Sequence, residues 1–84
     1  MSNPSIEEIT QDLVQILERS GKAVLTFISD DFYRRYRDRF KKALKDKLSK
    51  ILLDKYNVLI MFGHNVVVLC FDRNFQDASK LLES

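Results

Sequence analysis

Eighty-four residues with a formal net charge of +2, 45% apolar side chains and nine aromatics describe one small domain, 1–84, with a real core, and exclude a disordered chain. A single cysteine, Cys70, cannot form an internal disulfide, and apolar runs of about six residues are too short to span a membrane. Without the basic start and apolar centre of a signal peptide, the chain is expected to be cytoplasmic, with no membrane association.

The first predicted element is a helix beginning at Pro4 or at a Ser5 cap answered by Glu8. Ile6, Ile9, Leu13, Ile16 and Leu17 recur at three- and four-residue steps, with Glu7, Glu8, Gln11, Asp12, Gln15 and Glu18 opposite, until Ser20-Gly21 ends the helix. Residues Ala23 to Ser29, rich in β-branched and aromatic side chains, read as a strand.

Ser29 or Asp30 then caps a long amphipathic helix over residues 31–55, its start favoured by the acids at 30 and 31. Phe32, Tyr36, Phe40, Ala43, Leu44, Leu48, Ile51 and Leu52 form its apolar stripe. From Phe32 to Lys55, ten Lys and Arg stand against three Asp, whereas residues 1–31 carry two basic and six acidic side chains. The small net charge therefore conceals one strongly basic segment.

Two further strands, Val58 to Phe62 and Val66 to Phe71, flank Gly63-His64-Asn65, where Gly and Asn tolerate the positive φ of a tight turn. Neither strand alternates apolar with polar, so both faces of each must be covered. Asp72-Arg73-Asn74 caps a last helix with Phe75, Ala78, Leu81 and Leu82 facing inward. The expected fold class is α+β in the order α-β-α-β-β-α, with a three-stranded mixed sheet, a C-terminal β-hairpin and packed helices. Strand one, the long helix and strand two are expected to form a right-handed β-α-β unit, with strand three antiparallel to strand two, either outside it or between the other two. An apolar strand on a sheet edge invites pairing with another chain, and a homodimer is expected.

The basic helix supplies the sharpest functional expectation. Arg34, Arg35, Arg37, Lys41, Lys42 and Lys45 share its outer face and suit successive phosphates of DNA or RNA, with Tyr33 placed to reach a base or a flat partner surface. The plainer alternative is a solvated face with Tyr33 and Tyr36 at the core edge, helped by Asp38–Lys42 and Asp46–Lys50 at i, i+4 spacing. A second class of function is a non-catalytic protein-interaction, inhibitor or adaptor module acting as a homodimer, with acidic and basic helices setting register.

No catalytic constellation, metal site or cofactor is expected. The lone histidine, His64, falls in the hairpin turn, Cys70 falls among apolar strand neighbours, and two glycines forty-two residues apart make no phosphate loop. The element order is shared with several small RNA- and DNA-binding folds, but their GxxG clamp and aromatic strand motifs are missing, so the order carries no function by itself.

Overall fold

The computed structural model describes residues 5–36 and 42–82, with side chains from residue 44 onward in the second stretch. Helix α1 spans Ile6–Ser20. Of its two candidate starts, Ser5 is the cap: its Oγ accepts from the Glu8 amide at 3.2 Å and donates to Glu8 Oε1 at 3.3 Å. Gly21, in the left-handed region at φ 70°, ends the helix, its amide donating to the Glu18 carbonyl, a conformation that glycine adopts without steric cost. Leu13 and Leu17 are fully buried, as the periodicity requires. Thr10 is buried beside them because its hydroxyl is satisfied by the Ile6 carbonyl at 2.7 Å.

Strands β1 (Val24–Ile28), β2 (Val58–Phe62) and β3 (Val66–Phe71) form the sheet in the order β1-β3-β2. The α-β-α-β-β-α order holds, and β3 takes the inserted position. The expected mixed sheet is corrected by that insertion: β3 pairs antiparallel with both neighbours, so every pairing is antiparallel. β1 and β2 still run parallel to each other, but they never touch as neighbours.

Residue parity sorts the sheet into two faces. Leu25, Phe27, Val58, Ile60, Val67 and Leu69 face the main core with Ile9, Leu13, Leu17, Phe32, Leu48 and Leu52. Val68 and Cys70 face the other side, against Ala78 of helix α4 (Phe75–Leu81). Central position and helices on both faces explain why Val67, Val68, Leu69 and Cys70 are all fully buried.

In the β2–β3 hairpin the Gly63 amide donates to the Val66 carbonyl at 2.7 Å, leaving His64-Asn65 as the loop. No residue of this turn has a positive φ, contrary to the conformational reason expected for its glycine. Gly63 is needed for space: a Cβ there would lie 2.9 Å from Val66 Cγ1 and 3.0 Å from Leu82 Cδ2.

The last helix also differs from expectation. Ala78 is buried and Leu82 packs on the second face, but Phe75 and Leu81 are 44% and 38% exposed. A short 3-10 turn over Asp72–Asn74 precedes α4 and, with seven residues, the helix covers the central strand without reaching over β1. Among the described residues, no helix is long and apolar enough to cross a membrane.

Candidate nucleic-acid interface

Between β1 and β2 the helical stretch is described as two helices, α2 (Ser29–Tyr36) and α3 (Lys42–Tyr56). The ammonium of Lys45 lies 5.2 Å from the centroid of the Tyr33 ring. In a straight helix residues 33 and 45 are separated by about 18 Å along the axis, farther than the two side chains can bridge. The expectation of one rod over 31–55 is thereby corrected: α3 folds back so that its first turns meet α2.

Aromatic packing accounts for this reversal. Phe32, 1% exposed, sits with its ring centroid 5.1–6.0 Å from those of Phe27, Tyr33, Tyr36 and Phe62, distances at which edge-to-face pairs are favourable. Phe62 is the last residue of β2, so the cluster ties α2 to the end of the hairpin. Lys45 from α3 closes over it, its Nζ 4.8 Å from the Phe62 centroid as well, a double cation–π contact.

The site residues expected from sequence have different fates. Tyr33 and Lys45 are brought together, both half-buried. Arg34 is exposed on α2 and makes a loose ion pair with Asp31 at 3.7 Å, a contact between two well-solvated groups that contributes little. Arg35 turns away to α1, where its Nε and Nη2 donate to the two carboxylate oxygens of Asp12 at 3.3 and 3.4 Å. Arg37 and Lys41, and the side chain of Lys42, lie outside the described residues.

Tyr36 is the residue whose role changes most. Its ring is buried, and its hydroxyl, instead of sitting in water at the core edge, donates to Asp12 Oδ2 at 2.7 Å. Asp12 thus accepts from both Arg35 and Tyr36, joining the acidic helix to the basic one at a cleft also lined by Glu8 and Ile9. Sequence reasoning placed Asp12 on the outer face of α1, although it lies in the same helical row as Ile9 and Ile16, at the margin of the apolar stripe.

Beyond Lys45 the outer face of α3 carries Asp46, Lys47, Lys50, Asp54 and Lys55, all exposed. Asp46–Lys50 and the reverse-ordered Lys50–Asp54 both have i, i+4 spacing, and two acids among three bases leave this surface nearly balanced. The positive excess is confined to 34–45, where seven Lys and Arg face a single Asp within the segment. Asp12 and Asp31 neutralise at most two of the seven.

Burial, and then the hydrogen bond and charge of Asp12, raise the Tyr36 phenol above its ordinary value. Burial, and secondarily Asp72, raise the Cys70 thiol. Both groups have folded pKa values above their unfolded ones. The stability they support is complete below the unfolded pKa and is lost as pH rises through the folded pKa. The denaturation midpoint is expected to fall above about pH 8.5 through Cys70 and more steeply above about pH 10 through Tyr36. In Tyr36→Phe the steeper part disappears, and stability at neutral pH drops by about 1–2 kcal/mol for the lost hydrogen bond. Urea titrations across this range check it, and equal slopes above pH 10 in both proteins would contradict the assignment.

Among the described residues, no group of three or more His, Cys, Asp or Glu is placed to hold a metal ion. His64 is exposed in the hairpin loop, and Cys70 is a buried free thiol. The chain matches no known protein family, no curated protein and no solved structure.

Proposed function

We propose that the protein is a small nucleic-acid-binding domain that contacts the phosphate backbone through the basic segment 34–45. The observation that carries this reading is the Tyr33–Lys45 contact. It brings together residues 33 and 45, which bound a segment with seven cations and one acid. Concentrated positive charge raises local potential and attracts polyanions, each neutralised phosphate releasing counterions.

The Tyr33 ring is already engaged by Lys45 and Phe32, so Tyr33 supports the cationic surface instead of stacking on a base. Binding of this kind positions the protein on a backbone with little preference for sequence. A protein-interaction module is the second reading. It is favoured by Ile28, 65% exposed at the end of an edge strand.

Fluorescence anisotropy against labelled duplex DNA, single-stranded DNA and RNA at about 50 and 200 mM salt tests the proposal. Affinity is expected to fall steeply with salt and to be lost in Arg37→Glu/Lys41→Glu. Lys47→Glu/Lys50→Glu changes net charge equally but alters the nearly balanced face of α3, and is expected to retain binding within about threefold. Equal losses in the two double variants would reduce the effect to net charge and sink the proposed interface. Absence of binding at the lower salt would remove the nucleic-acid reading altogether.

A further inference from the structure

We propose that the free edge of β1 is the contact surface for a second copy of this chain, joined by antiparallel pairing into a continuous six-stranded sheet. The inference rests on the direction of backbone groups and is independent of the nucleic-acid reading. The Phe71 amide donates to the Ala23 carbonyl and the Ser29 amide to the Asn65 carbonyl. In the β1–β3 register these mark residues 23, 25, 27 and 29 as the ones bonded inward to β3. The amides and carbonyls of Val24, Thr26 and Ile28 consequently point out of the sheet along its β1 edge, where no other strand pairs among the described residues.

One register engages all three. Placing a two-fold axis at Thr26 sets Thr26 against its own copy and Val24 against Ile28 of the second copy, satisfying every outward donor and acceptor of both strands. Any slip by two residues leaves at least one of the three unpaired. The same register is favoured by charge. It carries exposed Lys22, just before β1, toward exposed Asp30 of the other copy, just after it, and neither side chain has an ion-pair partner among the described residues. Two such pairs, related by the axis, select the antiparallel arrangement over a parallel one.

Apolar exposure supports the same arrangement. Val24, Thr26 and Ile28 project on the second face of the sheet, where α4 covers β3 but leaves Thr26 exposed and Ile28 65% exposed. Leu81 borders the shallow cleft between α4 and this strand, with Thr26, Val66 and Leu82. In the joined sheet the two β3 strands stand about 14 Å apart, so the two α4 helices flank a strip of paired β1 strands. Ile28 is then covered by Val24 of the second copy, and the edge that would otherwise template aggregation is closed.

Sedimentation velocity on the full chain, from about 1 to about 200 µM, is the test. The wild-type chain is expected to sediment as a dimer at the upper end of that range. Thr26→Pro removes one outward amide and no bond to β3, and is expected to be monomeric with an unchanged far-UV CD spectrum. Ile28→Lys is expected to be monomeric as well, and decides the matter should the proline variant not fold. Lys22→Glu is expected to weaken the dimer at least about fivefold, with Asp30→Lys added to it restoring association. A wild-type monomer throughout, or a dimer that survives both Thr26→Pro and Ile28→Lys, would overturn the proposal.

Discussion

Replacing Phe32 by alanine is expected to cost about 3–5 kcal/mol, a large fraction of the stability of a domain of this size. A chain of 84 residues has a total stability on the order of 4–12 kcal/mol. Phe32 is 1% exposed and its ring touches four others, contributed by β1, α2 and the end of β2. Removal opens a cavity walled by rings that are themselves fixed: Phe27 and Phe62 by the sheet, Tyr36 by its bond to Asp12. Such walls cannot collapse inward, so both the transfer and the cavity contributions are lost. Denaturant unfolding followed by far-UV CD measures the change. A loss below about 1 kcal/mol would mean that the ring cluster does not hold α2 against the hairpin.

Asp12→Ala is expected to move stability and nucleic-acid affinity in opposite directions. Its carboxylate accepts from Arg35 and from the Tyr36 hydroxyl. Without it a largely buried hydroxyl loses the carboxylate to which it donates, and stability falls by about 1–3 kcal/mol. The same change releases the Arg35 guanidinium from an anion and removes one negative charge beside the basic segment. Under the proposed function, affinity for a phosphate backbone rises a few-fold at low salt, and the slope of log affinity against log salt steepens by about 0.7–0.9. A purely structural role for the basic segment predicts the stability loss with no gain in binding. Parallel denaturation and anisotropy titrations on this one variant therefore separate the two, and a fall in affinity would count against the interface as drawn.

These two variants also show which parts of the molecule could be read from its residues. Local chemistry carried the elements: the Ser5 cap, the Gly21 stop and both hairpin strands follow from spacing, propensity and turn residues within a few positions of each other. The asymmetry between the acidic start and the basic middle is likewise a property of order along the chain. So are the burial of Cys70 and the exposure of His64.

What depended on tertiary structure were relations between residues far apart in sequence. That β3 lies between β1 and β2, making every pairing antiparallel, is a choice between arrangements that the short connections allow equally well. The continuous amphipathic pattern from Phe32 to Leu52 looks like one helix because periodicity records only which side is apolar. The Phe32 cluster makes the turn back toward α2 favourable by engaging Phe62, thirty residues away. Arg35 belongs to Asp12 and not to the basic face for the same reason, since the acidic partner lies on another helix. Hydrophobic period and capping are set by neighbours in the chain, so the sequence alone determined them. Sheet order, the return of α3 and the pairing of Asp12 are set by which surfaces bury one another best, and only the folded structure decided those.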